Sequence, residues 1–228
     1  LTRFVVEEGF GLLQGVARSH EYPVAHDRRI AFVFGEYWVV LDTLVSETSH
    51  RYDQWFHLTE HAQGATHVRR DRGTVSVASP GLLVAHEDRD DVDAGVEPGR
   101  VSYRYGEAFD APVVRITQTA RTGRFATVLI PYRGPDAPRI AVRELAIEGA
   151  QDARALRIDV GEGLDACSDL LVVAGGPPAA CTFGGYAFDG TWLALRRDAG
   201  GEIVALHADR GATLADRRGP VLWRGLAS

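Results

Sequence analysis

The stretch "HRYDQWFHLTEHAQ", His50 to Gln63, gathers three histidines with Tyr52, Trp55 and Phe56. Such side chains suit several kinds of chemistry: metal ligation by imidazole, proton transfer by histidine, or a sugar platform. In a platform, a flat indole covers a sugar face and an imidazole supplies a hydrogen bond. On an extended strand Tyr52, Gln54 and Phe56 share one face, and Arg51, Asp53, Trp55 and His57 share the other. The parity disfavours a local metal site. Zinc needs three or four converging ligands, and His50 and His57 fall on opposite faces and point apart. The plainer alternative is a packed tryptophan and a hydrogen-bonded histidine on a central strand. Residue chemistry alone leaves that reading open beside the sugar platform.

The elements around this stretch read as strands. Short β-branched and aromatic runs, separated by Gly, Asp and Pro turns, recur along the chain. "RRIAFVFGEYWVVLDTL" predicts a hairpin turning at Gly35-Glu36. Its second arm, Tyr37 to Leu41, is apolar without alternation, as in a strand covered on both faces of a layered sandwich. "VVRITQTARTGRFATVLIPY" alternates instead, with Arg115, Thr117, Thr119 and Arg121 opposite Val114, Ile116 and Ala120, so one face is wet. Further strands are predicted at "RIAVRELAI", "ARALRIDV", "DLLVVA", "CTFGGYAF", "TWLALRR", "EIVALHA" and "PVLW", with "DAGG" (Asp198 to Gly201) as a hairpin turn.

"EGFGLLQGVARS" has some helical character, weakened by its glycines. The acidic stretch at 86–99, "HEDRDDVDAGVEPG", reads as a long solvated loop. It fails the calcium-loop template because Val92 would take the fifth ligand position. Glycines 9, 11 and 15 miss the dinucleotide-binding fingerprint. The expectation is an all-β chain, a large antiparallel β-sandwich with little helix, forming a single domain over 1–228.

Composition narrows the partners. The 228 residues carry a formal net charge of −6, which argues against a nucleic-acid binder, because affinity for nucleic acid rests on neutralising phosphates. The chain has no lysine, asparagine or methionine, so arginine is the cation left to bind acidic groups, which its planar fork does well. Cys167 and Cys181 are too few for a disulfide framework and read as buried free thiols. No apolar run approaches the roughly 18 residues of a membrane helix, so no membrane partner is expected. The start, "LTRFVVEEGF", has neither an initiator methionine nor a signal-peptide pattern, and the chain reads as part of a longer protein.

Two blocks carry a family resemblance: "SHEYPVAHDRRIAFVFGEYWVVLDTLVSETSHRYDQWFHL" and "PGRVSYRYGEAFDAPVVRITQTARTGRFATVLIPY". With the His-x-Arg at His26 to Arg28, the "WVVLD" strand ending in Asp42, the "H...FHL" strand at His50 to Leu58 and the "YG...P" block leading into "TVLIPY", the chain resembles the C-terminal β-domain of heparinase II/III-like polysaccharide lyases. The closing "FDGTWLALRRDAGGEIVALHADRGATL" fits more weakly.

The resemblance implies a parent with an N-terminal α/α toroid, cleaving an anionic, uronic-acid-containing polysaccharide or oligosaccharide by β-elimination in a cleft. The sequence does not identify where the parent resides, and a periplasmic or secreted parent is favoured over a cytoplasmic one. The resemblance also implies a divalent metal such as zinc, held by a His-x-His motif, a following Asp and a His-Asn pair, none of which this chain contains. No cofactor is therefore expected in this chain, no confident catalytic residue is named, and the chain alone is expected to be inactive. The substrate-binding candidates are His20 and Tyr22, in a loop that would reach the cleft, Arg28, facing a uronate carboxylate or bridging to a neighbouring Asp, and Trp55 and His57. The alternative function is a non-catalytic carbohydrate-binding or structural module.

Overall fold

A computed structural model describes residues 1–209, 212–217 and 219–224. The expected span 1–228 and the closing stretch through "ADRGATL" both include residues outside that set. The chain divides into two compact units, Leu1–Pro138 and Arg139–Ser228, where the sequence reading expects one domain. Each unit has its own sheets and its own apolar cluster.

In the first unit, one antiparallel sheet contains β1 (Arg3–Glu7), β2 (Phe10–Arg18), β3 (Val24–Val33), β4 (Tyr37–His57), β5 (His67–Asp71), β6 (Thr74–Ser79), β7 (Leu82–Glu87), β8 (Val92–Val101) and β9 (Phe109–Pro131). Its order is β1-β2-β3-β4-β9-β7-β6-β5, and β8 pairs with the first half of β9. The β3–β4 hairpin turns where expected, with Gly35 at φ 71°, a left-handed conformation that glycine adopts without steric cost.

Two long strands, β4 and β9, run through the whole sheet and bend together. Their register jumps from Val45↔Thr122 to His50↔Ala120, so the polar run Ser46 to Ser49 stands against the single residue Arg121. Extra residues on one strand force a kink. The sheet creases there and folds onto itself. Tyr52, Val92, Ala94, Val114 and Ile116 of one half pack with Val75, Val77, Val84 and Phe125 of the other.

The second unit holds β10 (Ile140–Leu145), β11 (Ile147–Glu148), β12 (Ala153–Val160), β13 (Cys167–Ala174), β14 (Cys181–Phe183), β15 (Tyr186–Phe188), β16 (Trp192–Arg197), β17 (Ile203–Ala208), β18 (Thr213–Asp216) and β19 (Val221–Arg224). They form two five-stranded sheets, β10-β12-β13-β16-β17 and β11-β14-β15-β18-β19. Leu170, Val172, Leu193 and Leu195 of the first meet Phe183, Phe188 and Leu214 of the second, giving a two-layer sandwich. Asp198 caps the predicted β16–β17 turn by accepting from the Gly200 and Glu202 amides.

Two local expectations are corrected. "EGFGLLQGVARS" contributes β2, because its burial has period two: Phe10, Leu12 and Gln14 are buried and Gly11, Leu13 and Gly15 are not. The acidic stretch at 86–99 is mostly strand as well. Val92 and Ala94 point inward with Asp93 outward, which leaves only residues 88–91 as the connection between β7 and β8.

Candidate functional site

The crease is where chemistry-bearing residues gather. On β3 and β4 the pairing sets Arg28 opposite Asp42. Both donors of the Arg28 fork reach Asp42, Nε to Oδ1 and Nη2 to Oδ2, at 2.7 Å each. His26 Nε2 lies 2.9 Å from Oδ1, and Gln54 Nε2 donates to Oδ2 at 2.8 Å. The Thr127 hydroxyl donates to Gln54 Oε1 at 2.6 Å, closing a chain of buried polar groups across the fold.

Asp42 is only 2% exposed. Burial alone would raise its pKa, but the hydrogen bonds from Arg28 and His26, and their charges, outweigh that and hold it at about 2. An ionised carboxylate only accepts, so His26 Nε2 carries the proton that it shares with Asp42. The ring is thereby oriented, and Nδ1 is left to face away from the aspartate.

Beside this network lies a cavity of about 380 Å³. Its walls include Arg18 at the end of β2, Tyr22 from the β2–β3 connection, His26, and His50, Arg51 and Tyr52 from β4 just past the bend. Tyr52 fits because Gly123 of β9 has no side chain: a Cβ there would fall 2.5 Å from Tyr52 Cδ2. Arg51 is paired with Asp53 at 3.1 Å, whereas Arg18 makes no ion pair among the described residues. No carboxylate residue lines the cavity.

The opposite side of β4 differs. Trp55 lies 46% exposed under the Arg115 guanidinium, 5.8 Å from the ring centroid. Arg115 is flanked by Glu97 at 2.7 Å, Asp93 at 3.6 Å and Asp53 at 4.0 Å. The carboxylates there match or outnumber the arginines, so that face has no surplus positive charge for an anion.

The five predicted binding residues therefore do not converge. Tyr22 lines the crease cavity and Arg28 adjoins it through Asp42, with its fork committed to the aspartate, the bridge that the sequence reading allowed. His20 is exposed in the β2–β3 connection and is not among the lining residues. Trp55 and His57 point out on the far face, which they share as the strand parity predicts. Sequence reasoning missed Arg18, His26, His50 and Tyr52 as a group. The shared even parity of His50, Tyr52 and Gln54 was visible, but the kink that turns them toward His26 was not.

The Arg28 guanidinium occupies Asp42 through both carboxylate oxygens. Among the described residues no three of His, Cys, Asp and Glu come together as possible ligands. A second cavity, of about 460 Å³ in the Arg139–Ser228 unit, is walled by Cys181, Phe188, Thr213 and Arg217 among others. Burial, and then the nearby Asp189 charge, push the Cys181 thiol up, away from reactivity.

The folded-over antiparallel sheet of the first unit and the two-layer sandwich of the second define an all-β architecture. Residues 5–156 match the family described as "Heparinase II/III-like, C-terminal", and the chain belongs to that family. A heparin-sulfate lyase of Pedobacter heparinus is 26% identical over 128 residues, covering 54% of this chain and 19% of that protein.

Among solved structures, a mutant of the heparan sulfate lyase HepC from Pedobacter heparinus superposes with a TM-score of 0.63 at 20% identity, covering 76% of this chain and 27% of that one. The heparinase III BT4657 gene product superposes with a TM-score of 0.58 at 15% identity, covering 75% of this chain and 27% of that one. These likenesses establish the fold. The chain spans about a quarter or less of the length of each of these proteins.

Proposed function

We propose that this chain is the β-domain of a lyase that cleaves a uronic-acid-containing polysaccharide by β-elimination. In this reading it packs with an N-terminal toroid of the same protein, in the periplasm or outside the cell, and has no activity alone. Family membership supports the reading, but the observation that carries it is the crease cavity. Tyrosine and histidine walls and, among the described residues, a cation without a carboxylate partner and no lining carboxylate suit an anionic sugar.

β-Elimination at a uronate needs three things around one sugar: a group that neutralises the carboxylate, a base for the adjacent proton and an acid for the leaving oxygen. This chain offers the first through Arg18, and it offers rigid hydrogen bonding through His26. Base and acid must meet the same sugar in near-attack geometry, which one wall cannot provide. In this reading Tyr22, Arg28 and His20 are the groups that this chain would offer to a sugar held against a second wall.

A second reading, a non-catalytic carbohydrate-binding module, draws on Trp55, whose exposed indole offers a stacking surface on the far face. The test is ultraviolet absorbance of the unsaturated uronate product. Turnover is expected from a longer protein carrying this chain and an upstream helical domain, and none from the 228 residues alone. Turnover by the chain alone within tenfold of the longer protein would overturn the division of labour. A longer protein that lacks turnover on uronate polymers yet binds them would favour the module.

A further inference from the structure

We infer that the crease cavity is a subsite for one anionic pyranose, with Arg18 pairing its sulfate or carboxylate, His26 Nδ1 bonding a ring hydroxyl and Tyr22 and Tyr52 covering the ring. The inference rests on the polysaccharide reading and adds to it a location, a stoichiometry of one sugar unit and named contacts.

Size fits first. The cavity, about 380 Å³, falls at the lower end of the 300–1,000 Å³ usual for small-molecule sites and holds a single sugar ring rather than an oligomer. Its character fits next: Ala17, Val24, Leu44, Tyr22 and Tyr52 give apolar and aromatic surface, and the polar groups sit among them as few, separated points. That is the pattern of a sugar site, where ring faces stack and hydroxyls are read singly.

Orientation is the decisive element. His26 is held by a buried carboxylate that also takes three other donors, from Arg28 and Gln54. Its Nε2 is thereby committed, and Nδ1 has no partner among the described residues. An imidazole so fixed offers Nδ1 to a ring hydroxyl without rotamer loss on binding.

Charge selects the ligand. Arg18 is the cation lining the cavity that has no carboxylate partner among the described residues, while Arg51 is shared with Asp53. His50 is tied through Nε2 to the Thr48 hydroxyl at 3.0 Å. A neutral sugar would leave Arg18 unpaired, and an anionic one would engage its fork.

The experiment uses the whole 228-residue chain and isothermal titration with three tetrasaccharides: a sulfated uronic-acid one of the heparin type, its unsulfated counterpart and a neutral glucose one. Binding of one or both anionic ligands at one equivalent, with none of the neutral one, is expected. Preference for the sulfated form identifies sulfate as the group that Arg18 reads, and equal binding identifies the carboxylate. Arg18→Gln and Tyr22→Ala lie on exposed positions, and His26→Gln keeps a donor for Asp42 while removing Nδ1. Each should weaken binding about tenfold, the effect of one charge-assisted or well-oriented contact.

Unchanged affinity in all three variants overturns the inference, as does equal binding of the neutral sugar or loss of binding only on Trp55→Ala. Absence of binding to every tetrasaccharide at millimolar concentration overturns it too. A longer protein without uronate elimination, whose chain still binds at the cavity, sinks the lyase reading and leaves the subsite standing. Elimination by the longer protein with all three variants unaltered in affinity does the reverse.

Discussion

Gln54 donates its side-chain amide to Asp42, a residue of the same strand twelve positions earlier, at 2.8 Å. Twelve residues of straight strand would span about 40 Å. The contact is therefore a direct measure of how sharply β4 doubles back at Ser46 to Ser49, and it places a hydrogen-bonded clasp across the opening of the fold. The same clasp reaches β9 through Thr127, which lies on the far half of the sheet from Ile116, the residue that pairs with Gln54. One buried carboxylate thus ties together the bend, the orientation of His26 and the wall of the cavity.

Replacing Gln54 by alanine should cost about 2–4 kcal/mol. The side chain is 4% exposed, so its loss leaves a void, takes one donor from Asp42, which keeps those of Arg28 and His26, and takes from the buried Thr127 hydroxyl the acceptor it donates to. Chemical denaturation measures this. Thr127→Val should cost less, because it removes one hydroxyl and keeps the volume, and the two changes should be sub-additive, since they break the same bond. Full additivity would show that the clasp does not act as a unit.

Asp42 also predicts an acid limb of stability. Its folded pKa of about 2 is below the ordinary value of 3.8, so the unfolded chain binds the proton more readily. The stabilisation is fully present above about pH 4 and is lost as pH falls from about 4 to about 2. The shift corresponds to roughly 2 kcal/mol. Urea midpoints of the wild-type chain and of Asp42→Asn should differ most near neutral pH and converge toward pH 2. A gap independent of pH would mean that Asp42 contributes through shape rather than charge. Asp53 and Asp91 are also depressed below the ordinary range, so both proteins lose further stability in acid.

Cys181 is 4% exposed and its thiol is pushed up by burial, while Cys167 is half-buried, and the two are not bonded. Alkylation of the native chain near pH 8 should label Cys167 at least about tenfold faster than Cys181, since the thiolate is the reactive form and must be reached. Peptide mass spectrometry reads the ratio. Equal rates in the native state would mean that the β14 edge opens readily.

Much of this was legible in the residues. Alternation at Val114 to Arg121 and the unbroken apolar run at Tyr37 to Leu41 set the strands and which of them are covered, because a period-two pattern has one physical reading when one face is wet. The parity of Trp55 and His57 put them on one face, but that this face is open rather than packed was not legible. The crease was not legible, since its cause is non-local: four residues of β4 against one of β9 is a mismatch between segments more than seventy residues apart. His26 and Tyr52 become neighbours only through that mismatch. The short connection at 88–91 was hidden by composition, because charged residues outward on an edge strand resemble a solvated loop unless the buried partners, Val92 and Ala94, are weighed more heavily.

The crease also depends on one small residue. A Cβ at position 123 would lie 2.5 Å from Tyr52 Cδ2 and 3.0 Å from Cε2, so the tyrosine, 7% exposed among Val114, Ile116 and Phe125, would have to shift. Gly123→Ala should therefore cost about 1–3 kcal/mol through overpacking. In a Tyr52→Leu background the same change should cost distinctly less, since the clash partner is shortened, and the difference is a coupling energy between two residues in contact. Because Tyr52 forms a cavity wall, Gly123→Ala should also weaken binding of an anionic tetrasaccharide at temperatures where the variant remains folded. A Gly123→Ala chain with wild-type stability would show that Tyr52 has another resting place, and the packed crease described above would have to be redrawn around it.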